Sequence, residues 1–119
     1  MRSIHTFPKI FLYRTPVDMR KQQNGLTMII QTELEKNVFE KGLFVFINRK
    51  RSIVRMLYWD DTGFAVWSKT LEKDTYRWPY PWFKTSHLTL TSEQLDFLLQ
   101  GVDLVAMKRH KSIEYQSGF

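Results

Sequence analysis

The stretch that decides the fold is LFVFINRKRSIVRMLYWDDTGFAVWSK, residues 43–69. It contains three runs rich in β-branched and aromatic residues, a composition typical of strands. The runs are Leu43–Ile47, Ile53–Trp59 and Phe64–Lys69, and short polar turns separate them. Turns this short join antiparallel neighbours, because a parallel crossover needs about a dozen residues or more. The stretch therefore predicts a three-stranded antiparallel meander.

Alternation along these strands sorts their side chains onto two faces. One predicted face holds Val45, Ile47, Ile53, Arg55, Leu57, Trp59, Phe64 and Val66. The other holds Phe44, Phe46, Val54, Met56, Tyr58, Ala65, Trp67 and Lys69. Both faces are too apolar for full exposure, so helices cover at least one of them. The second face is either covered as well or a binding surface.

The residues before the meander predict a strand and a helix. Lys9–Arg14 alternates in the manner of a short strand. Thr15 can cap a helix whose first position is Pro16, and Asp18 can reach back towards the cap. Apolar residues at helical spacing follow, so we expect a helix over about Val17–Lys36.

The residues after the meander add strand and helix signals. Thr75–Trp78 favours a fourth strand, which Pro79 would end. Leu88–Leu90 favours a further short strand, and Thr91 and Gln94 have the spacing of a capping box that starts a closing helix. The predicted fold class is α+β, with a small mainly antiparallel sheet of four or five strands and two main helices packed on it.

Composition narrows the class of protein further. The chain has 119 residues, a length that fits one domain, and its hydrophobic fraction of 43% excludes a disordered chain. It has no cysteine, so disulfide scaffolds, cysteine-ligated zinc and thiol catalysis are excluded. We expect a single domain over residues 1–119, with an ordered core at about 8–104 and a basic C-terminal tail at 105–119.

Apolar runs long enough to span a membrane are absent from the sequence. The longest stretch without a charged residue is Gln22–Thr32. The length of this stretch is about half of the 20 apolar residues that a membrane-spanning helix needs. Charged residues also interrupt the first 20 positions, so no secretory signal is predicted. We expect a cytoplasmic protein without membrane contact.

Motif spacing argues against the commoner catalytic sites. The five glycines are far apart, so no loop that cradles phosphate is present, and the three histidines lack metal-binding spacing. The enzyme alternative that stays open is a metal-dependent nuclease built on Asp60, Glu72 and Asp74. We expect no cofactor and no catalytic residues.

Basic residues are the best-grouped candidates for a binding site on this chain of net charge +6. The candidate nucleic-acid contacts are Arg20, Lys21, Arg49, Lys50, Arg51 and Arg55. Cations of this kind neutralise phosphates and release counterions. Aromatic side chains on the same strands either stack on bases or belong to the core. They are Phe44, Phe46, Tyr58 and Trp67.

Several segments, in this order and spacing, resemble a known family. They are Lys9–Leu12, Val17–Lys21, Gly25–Leu26, Leu43–Phe46, Leu57–Asp60 with Gly63, Lys69–Glu72, Tyr76–Pro79, Leu90–Thr91, Gln94–Leu95, Leu98–Leu99 and Gly101–Asp103. Over about residues 9–103 the chain resembles the accessory protein, called TnpB, encoded by the second open reading frame of insertion-sequence-sixty-six-type bacterial transposons. The resemblance implies a part in DNA transposition beside a separate, larger transposase that carries the acidic catalytic site. It supplies no catalytic residues for this chain.

Two functions besides the nuclease stay open. The first is a non-enzymatic accessory protein of DNA transposition that contacts DNA at transposon ends, the transposase encoded by the same element, or both. The second is a protein-interaction module without nucleic-acid binding. In either case Tyr80, Trp82 and Phe83 are the predicted partner-binding residues, because exposed aromatic side chains often dominate protein interfaces.

Overall fold

The computed structural model describes residues 3–108 and contains one five-stranded sheet. The strands are β1 (Lys9–Tyr13), β2 (Gly42–Ile47), β3 (Ile53–Trp59), β4 (Phe64–Thr70) and β5 (His87–Leu90), in the order β4-β3-β2-β1-β5. The helices are α1 (Gln23–Thr32) and α2 (Ser92–Leu99), with short 3-10 turns at Ile4–Thr6 and Tyr80–Trp82. β1 and β2 are parallel, and the other neighbours are antiparallel. The predicted α+β class, with a mainly antiparallel sheet and two main helices, is confirmed.

Both faces of the sheet are covered. Val45 and Leu95 belong to a buried cluster that includes the residues of α2, and Phe44 and Ile30 belong to a second one that includes the residues of α1. Of the two alternatives for the second face, coverage is therefore the correct one. Truncating a large apolar residue in either cluster to alanine should lower the free energy of unfolding by about 2–5 kcal/mol.

The β2–β3 hairpin pairs one residue away from the predicted register. Phe44 lies opposite Leu57, so the prediction that placed Val45 on the face of Leu57 is wrong. The reason is that Asn48 belongs to the ladder, since its N–H donates to the Ile53 carbonyl at 3.2 Å. The loop between the paired residues Asn48 and Ile53 then has an even number of residues, whereas the loop between the predicted strands has an odd number. A change of one residue in register moves every side chain of a strand to the opposite face.

The first helix is shorter at both ends than predicted, and its predicted entry is wrong. It begins at Gln23 rather than at Val17. The Val17 N–H donates to the Ile47 carbonyl at 2.8 Å, which ties this segment to the end of β2. The Asp18 carboxylate then accepts from the Arg20 N–H at 2.9 Å and stabilises a turn. Short polar side chains that bond nearby backbone groups compete with helix formation in this way.

Residues 75–78 form no strand, contrary to the prediction. Their two aromatic side chains are buried instead. The Tyr76 hydroxyl donates to the Lys69 carbonyl at 3.1 Å, and the Trp78 indole N–H donates to the Tyr13 carbonyl at the same distance. The segment is thus anchored through side chains, because buried Tyr and Trp need partners for their polar atoms.

Hydrogen bonds cap both ends of α2. The Thr91 hydroxyl accepts from the Gln94 N–H at 3.1 Å, and the Gln94 side chain accepts from the Thr91 N–H at 2.9 Å, which confirms the capping box. After the helix, Gly101 has a φ of 90°, a conformation that favours glycine. The Val102 N–H then donates to the Phe97 carbonyl at 3.1 Å, so a helix-end carbonyl is satisfied.

The predicted basic tail lies mostly outside the described residues. Residues 104–108 are helical, and Arg109 and Lys111 lie beyond them. The bounds of the ordered core stay a prediction. Between residues 3 and 108, every helix falls short of the length and hydropathy that a membrane crossing requires.

Candidate nucleic-acid interface

Two loops meet at the end of the sheet where β1 and β2 finish. One loop, residues 14–22, leads from β1 to α1, and the other, residues 48–52, joins β2 to β3. A groove of about 650 Å³ lies between them, hereafter the basic groove. It is lined by Pro16, Val17, Asp18, Met19, Asn48, Arg49, Lys50, Ser52 and Ile53. The fold thus brings the two groups of predicted cations, which are distant in sequence, to one end of the molecule.

The Asn48 side chain shapes the β2–β3 loop. Its carbonyl oxygen accepts from the Ser52 N–H at 2.9 Å and from the Ile53 N–H at 3.0 Å, and its amide donates to the Ser52 hydroxyl at 3.1 Å. Arg51 adopts a left-handed φ of 59°, and its N–H donates to the Asn48 carbonyl. These hydrogen bonds hold the backbone of the loop in place, while the side chains of residues 49–51 are exposed to solvent.

Arg55 joins β3 to the other loop. Its Nη1 donates to the Met19 carbonyl at 2.9 Å and to the Lys21 carbonyl at 3.0 Å, and its Nε donates to the Ser68 hydroxyl at 3.1 Å. The side chain is half-buried and holds the 14–22 loop against the sheet. This positioning role was not predicted from sequence, because its acceptors are distant along the chain. Contact between Arg55 and DNA stays a prediction.

Arg20 and Asp18 form an exposed ion pair, and Asp18 also lines the basic groove. The Arg20 Nη2 lies 2.6 Å from one Asp18 oxygen, and Nε donates to both oxygens. These hydrogen bonds, with that from the Arg20 N–H, lower the pKa of Asp18 to about 2. A phosphate would have to compete with Asp18 for this guanidinium. Arg20 is therefore a weaker candidate for phosphate contact than residues 49–51.

Lys21 is exposed and stands just before the N-terminus of α1. The helix N-cap is Gln22, and its side chain makes no capping hydrogen bond. Backbone N–H groups at a helix N-terminus favour negative charge. Lys21 and this end of α1 therefore add to the positive potential beside the basic groove.

The predicted partner-binding aromatics lie elsewhere, against α2. Trp82 lines a second groove, of about 280 Å³, together with residues of α2 and with Lys108, whose Nζ is 5.5 Å from the ring centroid. Tyr80 and Phe83 stand with their ring centroids 6.4 Å apart. All three aromatics are half-buried and pack on the cluster that contains α2. Their remaining exposed surface is what a partner could reach.

Most aromatic side chains that lie near the cations in sequence belong to the core. Phe44 and Phe46 are fully buried in the cluster that contains α1, and Tyr58 is buried on the opposite face. Trp67 is half-buried. The alternative in which these rings form the core is confirmed for the three buried ones, which excludes them as platforms for base stacking.

An exposed aromatic cluster at the opposite end of the sheet was missed by the sequence analysis. Phe39 packs edge-on against Trp59, with ring centroids 4.9 Å apart, and stacks on Phe64 at 5.8 Å. Phe39 is 55% exposed, and the neighbouring Val66 on β4 is 45% exposed. Strand alternation places Trp59 and Phe64 on one face. No periodicity pointed to Phe39, because it follows an irregular segment.

The three carboxylates of the nuclease alternative lie at opposite ends of β4. Asp60 belongs to the turn before this strand, whereas Glu72 and Asp74 follow its last residue, Thr70. A strand of this length spans about 20 Å. Within residues 3–108, no three His, Asp or Glu side chains gather closely enough to hold a metal ion. The geometry therefore argues against a metal site formed by these three acids.

The sheet, its two helices and the basic groove define a small, basic α+β protein with exposed cations on the two loops that border the groove. The chain belongs to the IS66 Orf2 like protein family (TnpB_IS66), whose model matches residues 8–109. This confirms the resemblance found in the sequence. Membership associates the chain with the accessory proteins of IS66-type transposable elements.

Two relatives from Sinorhizobium fredii (strain NBRC 101917 / NGR234) are similar over most of their length. Uncharacterized protein y4jC is 29% identical over 101 residues, which cover 85% of each chain. Uncharacterized protein y4hO is 26% identical over 95 residues, which cover 80% of this chain and 81% of the relative. No solved structure matches the chain. Neither relative's name describes an activity, so the functional argument rests on the family and on the site.

Proposed function

We propose that this chain is a non-enzymatic accessory protein of DNA transposition that contacts the phosphate backbone of transposon DNA beside the basic groove, in the cytoplasm. The observation that carries the proposal is the convergence of residues 49–51 with the loop that contains Arg20 and Lys21. Family membership supplies DNA transposition as the setting.

The exposed residue types suit phosphate contact. Arg49 and Arg51 can each donate two hydrogen bonds to a phosphate, and Lys50 adds a compact positive charge. The Asn48 side chain holds the loop backbone, so less conformational freedom is lost when the loop binds. The rings of the adjacent strand β2 are buried, which leaves phosphate contacts as the main source of affinity. We therefore expect binding with little sequence preference.

The DNA contact can be tested by electrophoretic mobility shift across a salt series. A variant with Arg49→Gln, Lys50→Gln and Arg51→Asn removes the loop charges, and Asn tolerates the left-handed φ at position 51. The matched control removes three exposed charges elsewhere, through Lys9→Gln, Lys41→Gln and Lys84→Gln. Each phosphate contact contributes about 0.9 to the magnitude of the slope of log K against log salt. The magnitude of this slope should therefore be smaller by up to about 2.7 in the loop variant than in the wild type.

Two results would contradict this proposal for DNA. One is the absence of wild-type binding to any duplex or single strand at low salt. The other is an equal loss in the loop variant and in its control, because that result would assign binding to net charge alone. In cells, the loop variant should also lower the transposition frequency of an element that supplies its own transposase, whereas the control should not.

We also propose that the transposase encoded by the same element is a protein partner, bound through Tyr80, Trp82 and Phe83. The half-exposed Trp82 beside the groove against α2 favours this surface, because tryptophan is enriched among residues that dominate interfaces. The amount of transposase that the Trp82→Ala variant captures in a pull-down should be at least tenfold lower than the amount captured by the wild type. Trp59→Ala, at another half-exposed tryptophan, is the control and should retain binding.

The same pull-down separates the two functions that the sequence left open. Transposase capture by a wild-type chain that binds no DNA would favour a protein-interaction module. Equal capture by Trp82→Ala and wild type would move the interface away from these aromatics.

A further inference from the structure

The lining of the basic groove is charged at its rim and uncharged inside. Asp18, Arg49 and Lys50 carry the charges, and all three are exposed. The remaining lining residues are half-buried or buried, and each is apolar or neutral: Pro16, Val17, Met19, Asn48, Ser52 and Ile53. A DNA phosphate can therefore meet cations at the rim, but it finds no positive side chain inside the groove.

Hydrogen bonds hold the apolar wall of the groove in place. Ile53 is the first residue of β3 and lies two positions before Arg55, so the two side chains share one face of the sheet. Arg55 binds the Met19 carbonyl at 2.9 Å, and the Val17 N–H donates to the Ile47 carbonyl at 2.8 Å. The wall thus exists before a ligand arrives, which lowers the entropic cost of binding.

The polar atoms inside the groove suit a neutral ligand. The Ser52 hydroxyl accepts from the Asn48 amide at 3.1 Å, so its own hydrogen can go to an acceptor on a ligand. The Asp18 carboxylate lies on the other loop and disfavours a phosphate on that side, although Arg20 screens part of its charge. A volume of about 650 Å³ lies within the range of about 300–1,000 Å³ that is usual for small-ligand sites.

We propose that the basic groove receives one unpaired base of the DNA strand whose phosphates contact residues 49–51, an inference that rests on the proposed DNA contact. A nucleotide divides its chemistry as the groove does, because its phosphate is charged and its base is neutral, with apolar faces and a polar edge. A base inside a duplex is stacked and paired, so only an unpaired or extruded nucleotide can enter. Every base has an apolar face, which keeps sequence preference low.

Fluorescence anisotropy with three duplexes of one sequence tests this base site. The first duplex is fully paired, the second has one bulged nucleotide at its centre, and the third has an abasic bulge at the same place. The two bulged duplexes carry the same number of phosphates and differ only in the base. At one salt concentration, the dissociation constant for the bulged nucleotide should be about tenfold lower than that for the abasic bulge.

A matched pair of methionine variants locates the base. Met19→Ala removes the longest apolar side chain inside the groove and keeps the carbonyl that Arg55 binds. This variant should bind the two bulged duplexes with similar dissociation constants and bind the paired duplex as the wild type does, because the loop cations are unchanged. Met28→Ala is the control, since Met28 is 63% exposed on α1, outside the groove. It should keep the tenfold difference.

A measurement on the wild type alone provides a second test. The base analogue 2-aminopurine is quenched when it stacks on neighbouring bases. As the bulged nucleotide it should brighten when the protein binds, because the base leaves the stack and none of the described residues that line the groove is aromatic. The same analogue paired inside the duplex should stay quenched.

The outcomes separate this inference from the proposed DNA contact. Equal dissociation constants for the two bulged duplexes would overturn the base site and leave the phosphate contact intact, whereas the absence of binding to any duplex would overturn both. Loss of transposase capture in a Met19→Ala variant that still prefers the bulged base would assign the groove to the transposase and also overturn the base site.

Discussion

The two connections of the β2–β3–β4 meander are stabilised in different ways. In the β2–β3 loop, the Asn48 side chain binds two backbone N–H groups, and Arg55 ties the neighbouring 14–22 loop to the sheet. In the β3–β4 turn, backbone atoms make the bonds: the Asp60 N–H donates to the Gly63 carbonyl at 2.7 Å. Side chains thus hold the basic end in one arrangement, which suits a site that must keep charges in place. The acidic end depends mainly on backbone hydrogen bonds, to which the Thr62 hydroxyl adds one by donating to the Asp60 carbonyl at 3.5 Å.

The largest expected effect comes from removing the connection between the two basic loops. Arg55→Met leaves the Met19 and Lys21 carbonyls without a charged donor, and hydrogen bonds to charged groups contribute about 1.5–3 kcal/mol each. We expect the free energy of unfolding to fall by about 3 kcal/mol in urea denaturation. Arg49→Met removes the same charge at an exposed position and should change it by less than about 0.5 kcal/mol. Equal effects of the two variants would show that Arg55 does not hold the loops together.

A smaller effect is expected from the loop itself. Asn48→Ala leaves the Ser52 and Ile53 N–H groups without their acceptor, so the unfolding free energy should fall by about 1–2 kcal/mol. Asp60→Ala is the matched change in the other connection, where the N–H and carbonyl of Asp60, rather than its side chain, make the turn bonds. It should cost less than about 0.5 kcal/mol. If Asp60→Ala costs as much as Asn48→Ala, the contrast between the two ends is wrong.

The smallest expected effect is a pH dependence at the basic end. The folded pKa of Asp18 is about 2, below the ordinary value of 3.8, because Arg20 hydrogen-bonds the carboxylate. A lowered pKa stabilises the fold above the ordinary value, and that contribution is lost as the pH falls from about 4 to 2. The pair is exposed, so solvent screens it and the effect is slight.

Thermal unfolding across this pH range can detect the contribution of Asp18. The melting temperature of the wild type should be higher than that of Asp18→Asn at pH 7. The two melting temperatures should converge near pH 2. Asp74→Asn, at an exposed carboxylate whose nearest cation is 3.8 Å away, is the control and should show little convergence. A difference in melting temperature between wild type and Asp18→Asn that stays constant at all pH values would contradict a stabilising role of the Asp18 carboxylate.

The sequence predicted those parts of the molecule whose signals are local. Strand alternation located the meander, and Thr91 with Gln94 located the start of α2. The predicted register of β2 and the predicted start of α1 were wrong, because single side chains decide both features. Asn48 and Asp18 bond nearby backbone groups, and neither bond changes the hydrophobic pattern.

For the candidate site, the cluster of cations was visible in the sequence, but its organisation was not. Residues 49–51 are exposed, as a binding role requires. The ion pair of Arg20 with Asp18 and the acceptors of Arg55 depend on chain geometry that spacing does not encode. The exposed position of Phe39 likewise depends on how an irregular segment returns to β2.

The place of β1 in the sheet has a consequence for synthesis on the ribosome. β1 is made first, yet it lies between β2 and β5, and Ile10 pairs with Leu90 near the other end of the fold. Contacts within the meander are local and close short loops, whereas this pair closes a very long one. A nascent chain therefore carries one open edge of β1, a strand in which four successive side chains are buried in the finished protein, until β5 has left the exit tunnel.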